Sequence, residues 1–345
     1  MPSPDPRPRG SAGPLTELYD VALLDLDGVV YLQEEPIPEA AAALNAARAA
    51  GMRLEFVTNN ASRRAPEVAA LLARVGVAAD PVEVVTSAQA AAALLAERLA
   101  PGSAVLVVGG DALAGELTDV GLRAVRSADD DPLAVVQGYT AETGWRQLAE
   151  ATIAIRAGAL WIASNGDATF PSPRGPLPGN GALVAAVATA TGRSPDEIVG
   201  KPHPRLHQES VRRSGAQRPL VVGDRLDTDI EGAINGDCDS LLVLTGVTTP
   251  ADLIAAGPRQ RPDYLAADLR GLLEPHPTPT LVPGGAECRG WTVTADAGEL
   301  RLGGRGLPID ALRALCAAAW SGGSGAEKIV ADGPEAESAV AGLSL

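Results

Sequence analysis

The chain has 345 residues, of which 46% are hydrophobic and only 3% aromatic, and its formal net charge is −15. This acidity argues against a nucleic-acid or anionic-membrane surface, because both need clustered Lys and Arg. The three cysteines, Cys238, Cys288 and Cys316, are widely spaced. They predict neither a disulfide framework nor a zinc site, and they fit a reducing cytoplasm.

The amino terminus, residues 1–13, is rich in Pro, Arg and Ser and is expected to be a disordered leader. It lacks the apolar stretch of a signal peptide, and no window of the chain approaches the ~18 consecutive apolar residues of a membrane span. We therefore expect a cytoplasmic protein with no membrane partner.

The first predicted strand begins at Val21 and ends in two carboxylates, Asp25 and Asp27, one residue apart. Its aliphatic residues are typical of a buried parallel strand, and side-chain alternation places both carboxylates on one side. In open α/β sheets, ligands bind at the carboxyl ends of strands. Two buried carboxylates repel each other unless a cation or a shared proton relieves the cost. The pair of carboxylates therefore indicates a chemically active site at the end of this strand.

Strands and helices alternate through most of the chain. A strand over 53–58 ends in Thr58-Asn59-Asn60, and strands follow near 104–108, 133–136 and 160–163. A later strand ends in Gly223-Asp224, and another covers 241–244. This alternation predicts an α/β fold with a doubly wound parallel sheet. Beyond Pro275 the pattern changes to a hairpin near Trp291 and a short helix with one apolar face near Leu312 and Leu315.

Polar residues of complementary kinds follow the predicted strands. They are the carboxylates above, the neutral donors Thr58 and Asn59, the cation Lys201, and a further acidic segment that contains Asp224, Asp227 and Asp229. Carboxylate oxygens without His or Cys suit Mg²⁺. A carboxylate can also act as a nucleophile through an aspartyl-phosphate. Whether Asp227 or Asp229 lies closer to such a metal is left open by the sequence.

These segments resemble the four motifs of the haloacid dehalogenase superfamily, and their order is similar to that of the NagD and 4-nitrophenyl phosphatase-like subgroup. The resemblance covers residues 18–270. It implies a discontinuous Rossmann-like core domain over 14–86 and 182–275, with an inserted α/β cap domain over 87–181. The small α+β extension over 276–345 is similar to that of actinobacterial glycerol 3-phosphate phosphatases.

The resemblance implies a role for each motif residue. Asp25 is the expected nucleophile, and Asp27 is the general acid and later the base. The expected magnesium ligands are Asp25, the backbone carbonyl of Asp27, and Asp224. Asp229 is expected to lie next to these ligands without binding the metal itself. The residues expected to bind the phosphoryl group are Thr58, Asn59, Asn60 and Lys201. Two of these, Thr58 and Lys201, are also expected to be catalytic.

A loop after the strand at 160–163 carries Asp167, Phe170 and Arg174, at the position of this family's substrate-specificity loop. These residues either reach the leaving group or form an ordinary polar turn. The segment Gly109-Gly110-Asp111 predicts a strand-to-helix turn, because no full nucleotide-binding fingerprint surrounds it.

The expected activity is that of a hydrolase, a Mg²⁺-dependent phosphomonoesterase acting on a small phosphorylated metabolite. The resemblance of the extension and of the subgroup makes glycerol 3-phosphate the first choice, and the alternatives are phosphoglycolate, pyridoxal phosphate, nucleotide phosphates and sugar phosphates. A phosphotransferase or phosphomutase, and a receiver-like phosphoacceptor domain, are further alternatives. Asp27 argues against the receiver, whose phosphoaspartate must persist. The sequence allows a homodimer.

Overall fold

A computed structural model describes residues 7–170, 172, 174–296, 298–322 and 328–345. The strands are, in chain order, β1 Val21–Leu24, β2 Tyr31–Leu32, β3 Glu35–Pro36, β4 Arg53–Thr58, β5 Val84–Thr86, β6 Ala104–Val108, β7 Arg123–Val125, β8 Ala134–Gln137, β9 Leu160–Ala163, β10 Thr169–Phe170, β11 Leu177–Pro178, β12 Glu197–Ile198, β13 Pro219–Gly223, β14 Asp239–Val243, β15 Tyr264–Ala266, β16 Thr280–Val282, β17 Gly285–Cys288, β18 Trp291–Asp296, β19 Glu299–Gly304 and β20 Lys328–Asp332.

The α-helices are, in the same order, α1 Leu15–Leu18, α2 Ala40–Ala49, α3 Ala65–Arg74, α4 Ser87–Arg98, α5 Asp111–Asp119, α6 Trp145–Arg156, α7 Asn180–Thr191, α8 Arg205–Ser214, α9 Glu231–Asn235, α10 Pro250–Ile254, α11 Pro308–Gly322 and α12 Pro334–Gly342. Local signals explain several boundaries. At the start of α4 the Thr86 hydroxyl accepts from the Gln89 N–H, and the Gln89 side chain accepts from the Thr86 N–H. At the start of α3 the Glu67 carboxylate accepts from the Arg64 N–H. None of the described helices is long and apolar enough to cross a membrane.

The chain divides into two compact units, Met1–Leu54 with Ala216–Leu345, and Glu55–Gly215. In the first unit, β1, β13, β14 and β15 pair side by side and in parallel, with Val21 opposite Pro219 and Leu24 opposite Val222. All four residues of β1 are buried, as expected for a strand covered on both faces.

The second unit contains a five-stranded parallel sheet in the order β12-β9-β8-β6-β7. Its order reverses at β6, which is the signature of double winding. The strands β4 and β5 also pair in parallel, with Thr58 opposite Thr86. The predicted α/β class with parallel sheets is confirmed. The predicted boundaries at residues 86, 181 and 275 stay a prediction.

The carboxyl-terminal extension forms the sheet β16-β17-β18-β19-β20, which is antiparallel except for the parallel pair β19 and β20. Residues 310–320 of α11 are all buried, so this helix is enclosed on every side rather than on the one face predicted. It shares a hydrophobic cluster with the core: Leu315, Trp291 and Val293 pack in the same cluster as Leu242, Leu253 and Leu265. The extension and core of this unit therefore form one apolar interior.

The described part of the predicted leader makes specific contacts, which a disordered segment would not make. The Arg9 guanidinium donates to Asp239 at 2.7 Å and lies over the Tyr264 ring, and the Ser11 N–H donates to the carbonyl of His276. The basic side chain thus meets carboxylates at the edge of β14, a partner that composition alone does not reveal. Residues 1–6 of the predicted leader lie outside the described residues.

Candidate active site

Three carboxylates meet in the first unit. Asp25 follows β1, Asp224 follows β13, and Asp229 lies in the helical turn Leu226–Ile230. One oxygen of each lies within 4.8 Å of the other two. The Asp25 N–H donates to the Val222 carbonyl at 2.9 Å, which continues the pairing of the two parallel strands past the end of β1. The parallel register therefore brings two of these acids to the same sheet edge, as the sequence predicts.

Asp224 is fully buried and is surrounded by backbone. The Val247 N–H donates to its Oδ2 at 2.6 Å. A Cβ atom added to Gly246 would lie 2.0 Å from that oxygen, and one added to Gly28 would lie 2.4 Å from it. Both positions must therefore be glycine for the carboxylate to sit where it does. Sequence reasoning missed Gly246, although a glycine shortly after a buried strand is a recognisable signal.

Asp229, rather than Asp227, accompanies the other two acids. Asp229 is 1% exposed, and its Oδ2 accepts from the Arg225 N–H at 3.1 Å. Asp227 points elsewhere: its side chain is 59% exposed and forms an ion pair with Arg225 at 2.8 Å. Burial raises the pKa of Asp227, but the hydrogen bonds and charge of Arg225 outweigh it, so the pKa lies below its usual range. The choice that the sequence left open thus falls on Asp229.

Asp27 is exposed, and its side chain is not one of the three clustered carboxylates. The segment around it is fixed by the backbone, because Gly28 donates its N–H to the Tyr31 carbonyl at 2.8 Å. The Thr245 hydroxyl donates to the Gly28 carbonyl at 2.6 Å. An exposed carboxylate on a fixed backbone can exchange protons with solvent and with a bound molecule.

In the second unit, the side-chain amide of Asn59 holds the backbone of Lys201. Its Oδ1 accepts from the Lys201 N–H at 2.8 Å, and its Nδ2 donates to the Lys201 carbonyl at 3.0 Å. Lys201 is 3% exposed, and its ammonium donates to the Val57 carbonyl at 3.4 Å. Thr58 ends β4, and its hydroxyl oxygen accepts from the Asn60 N–H at 3.1 Å. The structure therefore brings together the predicted phosphate-binding residues of this unit.

The predicted loop residues separate into contacts of different kinds. Asn59 Nδ2 lies 3.2 Å from each carboxylate oxygen of Asp167, so that residue joins the Asn59 cluster. The Phe170 ring packs on Tyr139 with centroids 4.8 Å apart. Arg174 is exposed, and its backbone N–H donates to the nearby Ser172 hydroxyl. Sequence reasoning did not single out Tyr139.

The donor set of the first unit fits a hard divalent cation. It offers carboxylate oxygens from three residues close together and largely withdrawn from solvent. Such a group of like charges is costly without a counter-charge, and Mg²⁺ prefers oxygen ligands of this kind. Asp25, Asp224 and Asp229 are the residues whose carboxylate oxygens could hold it.

Comparison with known proteins gives three family matches. Residues 22–123 match the haloacid dehalogenase-like hydrolases, and residues 198–272 match a second HAD-hydrolase-like model. Residues 288–345 match a GCN5-related N-acetyltransferase-like domain, a likeness that sequence reasoning did not reveal.

Curated relatives are similar over most of the chain. The D-glycerol 3-phosphate phosphatase of Mycobacterium tuberculosis is 49% identical over 316 residues, which cover 89% of this chain and 87% of that protein. The acid sugar phosphatase of Staphylococcus saprophyticus is 38% identical over 237 residues, 68% of this chain and 90% of that protein.

The similar solved structures are also phosphatases. The glycerol phosphate phosphatase of Mycobacterium tuberculosis in complex with magnesium superposes with a TM-score of 0.86 at 45% identity, covering 96% of this chain and 99% of that one. The 4-nitrophenylphosphatase of Thermotoga maritima superposes with a TM-score of 0.70 at 31% identity, covering 75% of this chain and 98% of that one.

The chain therefore belongs to the haloacid dehalogenase-like hydrolases. Within them it is similar to the 4-nitrophenyl phosphatase group and, over nearly its whole length, to a glycerol phosphate phosphatase. The family and hydrolase class predicted from the motifs are confirmed.

Proposed function

We propose that the chain is a Mg²⁺-dependent phosphomonoesterase that hydrolyses glycerol 3-phosphate to glycerol and phosphate. The observation that carries the proposal is the group of three carboxylates formed by Asp25 after β1, Asp224 after β13 and Asp229 in the turn Leu226–Ile230. The substrate rests on the relative of that name, which is 49% identical. The magnesium complex of the similar glycerol phosphate phosphatase supports the metal.

In the proposed reaction, a carboxylate oxygen of Asp25 attacks phosphorus, and the bond from phosphorus to the glycerol oxygen breaks. Asp27 gives its proton to that oxygen as it leaves. Asp27 then takes a proton from water, whose oxygen attacks the aspartyl-phosphate and releases phosphate and the Asp25 carboxylate. One water molecule is consumed over the two steps. When bound, Mg²⁺ offsets the negative charge of the carboxylates and of the phosphoryl oxygens.

The predicted phosphate-binding roles belong to the same proposal. Thr58 and Lys201 supply a hydroxyl donor and a cation, which suit phosphoryl oxygens. Asn59 and Asn60 complete the predicted set. The geometry supports a fixed position for Lys201, because Asn59 holds both its N–H and its carbonyl. A lysine whose backbone is fixed loses less conformational freedom when its ammonium binds an anion.

Alternative monoesters are phosphoglycolate, pyridoxal phosphate, nucleotide phosphates and sugar phosphates. Sugar phosphates gain support from the acid sugar phosphatase relative. A homodimer and a cytoplasmic location stay predictions, and the partner proposed is a small phosphorylated metabolite.

Replacing the nucleophile tests the mechanism. We expect Asp25→Asn to lower phosphate release from glycerol 3-phosphate in the presence of Mg²⁺ by at least about a thousandfold, because an amide cannot form the aspartyl-phosphate. The matched control is Asp227→Asn, which removes an exposed carboxylate that lies outside the acidic group. The control is expected to keep its activity, and both variants should give the circular dichroism spectrum of the parent. Turnover by Asp25→Asn close to that of the control would refute the mechanism.

A further inference from the structure

A second feature of the Glu55–Gly215 unit is an open pocket of about 590 Å³. It begins at Ser62 and Arg64, just before α3, and is closed on the other side by Tyr139, Thr140 and Glu142, which follow β8. Its volume lies within the ~300–1,000 Å³ range typical of small-molecule sites. A three-carbon alcohol such as glycerol fills only a small part of that space.

The charges around the pocket disfavour the binding of a second anionic group. Among the described lining residues, Glu67, Asp111 and Glu142 are carboxylates and Arg64 is the cation. Arg64 already forms ion pairs, with Glu116 at 3.3 Å and with Asp119. A phosphate in this pocket would face carboxylates and an arginine whose charge is already matched. The pocket is therefore suited to an uncharged ligand or to an uncharged part of one.

The remaining lining groups suit hydroxyl groups on a carbon ring or chain. Tyr139 is half-buried and offers an aromatic ring, which is held by its contact with Phe170. Glu142 is exposed, and its Oε2 accepts from the Thr140 hydroxyl at 2.5 Å, which orients the carboxylate. Carboxylates accept strong hydrogen bonds from hydroxyl donors, and an aromatic face packs against the C–H face of a polyol.

One hydrogen-bonded segment runs from the proposed phosphate-binding residues to this pocket. The Thr58 hydroxyl oxygen accepts from the Asn60 N–H, and the Asn60 Oδ1 accepts from the Ser62 N–H and hydroxyl, both at 2.7 Å. Ser62 lines the pocket. A substrate whose phosphate binds at Thr58 can therefore extend its alcohol portion along this segment.

We propose that this pocket binds the uncharged polyhydroxyl portion of a phosphate monoester larger than glycerol 3-phosphate, a phosphorylated sugar or sugar alcohol. The inference rests on the proposed phosphatase activity and specifies its substrate class. It assigns Tyr139 and Glu142 as specificity-determining residues. It also predicts discrimination against sugars that carry a second phosphate, because the pocket presents carboxylates to that group.

The test compares kcat/KM for glycerol 3-phosphate, glucose 6-phosphate, sorbitol 6-phosphate and fructose 1,6-bisphosphate. We expect the parent chain to hydrolyse the two six-carbon monophosphates at least as efficiently as glycerol 3-phosphate and the bisphosphate at least tenfold less efficiently. Tyr139→Leu and Glu142→Gln should each lower the ratio of six-carbon to three-carbon kcat/KM by about tenfold, mainly through KM. Asp129→Asn, which removes an exposed carboxylate that does not line the pocket, should leave that ratio unchanged.

The outcomes separate the two proposals. Hydrolysis of glycerol 3-phosphate without hydrolysis of either six-carbon monophosphate overturns the pocket assignment and leaves the phosphatase proposal standing. A ratio that is unchanged in both pocket variants, each shown by circular dichroism to be folded, also overturns the assignment. Failure to release phosphate from any of the four compounds with Mg²⁺ overturns both proposals.

Discussion

Asp224 owes its position to residues that carry no functional group. Gly246 and Gly28 approach its Oδ2 so closely that any side chain at either position would collide with it. The backbone N–H of Val247 then supplies a hydrogen bond that favours the charged form of the carboxylate. At the scale of single residues, the acid is therefore positioned by backbone and by missing side chains.

Substitution of Gly246 tests this arrangement. We expect Gly246→Ala to raise the Mg²⁺ concentration for half-maximal phosphate release by ~10–100-fold, because the new methyl group displaces the Asp224 carboxylate. The control is Gly257→Ala, where an added Cβ meets nothing within 4 Å. Titration of both variants with Mg²⁺, followed by phosphate release and by calorimetric binding, gives the comparison. Identical Mg²⁺ dependence in the two variants would contradict the proposed role of Asp224.

Among the secondary-structure elements, α11 attaches the extension to the core through buried polar groups as well as apolar ones. Its Arg313 donates to the Leu265 carbonyl of β15 at 2.5 Å and to His276 Nδ1 at 3.3 Å, and it pairs with Asp310. Because the arginine can only donate, Nδ1 of His276 must accept, and Nε2 then carries the proton that is donated to the Gly271 carbonyl at 2.8 Å. The arrangement requires a neutral imidazole.

The neutral His276 predicts a dependence of stability on pH. Burial lowers the pKa of His276, and the charge of Arg313 lowers it further, so the folded-state pKa lies below the ~6.5 expected when unfolded. The unfolded chain therefore binds more protons as the pH falls below ~6.5, and the free energy of unfolding decreases towards the folded-state pKa. Urea unfolding at pH 7.5 and 5.5 should show a larger loss of unfolding free energy in the parent than in His276→Gln. Parallel losses in the two proteins would show that His276 does not contribute.

On the scale of the whole molecule, the Met1–Leu54 and Ala216–Leu345 unit has one apolar interior that serves both core and extension. Leu315 is fully buried in the cluster that also contains Leu242 and Leu265. Loss of packing in the extension is therefore expected to weaken the parallel sheet as well, since both depend on the same contacts.

Two leucine substitutions, one at a buried and one at an exposed position, test this shared interior. We expect Leu315→Ala to lower the free energy of unfolding by ~2–5 kcal/mol and to raise amide hydrogen exchange in β13 as much as in β18. Leu307→Ala, at a position that is 62% exposed, should change stability by no more than ~0.5 kcal/mol. Faster exchange in β18 alone would mean that the extension unfolds independently.

The sequence was sufficient to predict candidate site residues that lie at the end of a buried strand. Asp25, Thr58 and Asp224 were singled out because each ends or follows a strand whose type and end are evident from its residues. Side-chain direction within a turn was not predictable, because it depends on local backbone geometry, so Asp227 and Asp229 could not be ranked. Arg9 and His276 were missed for another reason: their partners lie more than 200 and about 40 residues away along the chain, and no local pattern encodes such contacts.

The pairing of β1 with β13 has a consequence for synthesis on the ribosome. Val21–Leu24 is wholly buried, and β13, the strand that pairs with it from Val21 to Leu24, begins only at Pro219. At ~5–20 residues per second, the emerging chain waits roughly 10–40 s between the two strands. During that interval the edge of β1 that pairs with β13 lacks this partner, while the Glu55–Gly215 unit, which is continuous in sequence, is completed and can fold. Slower translation between the two strands lengthens this interval.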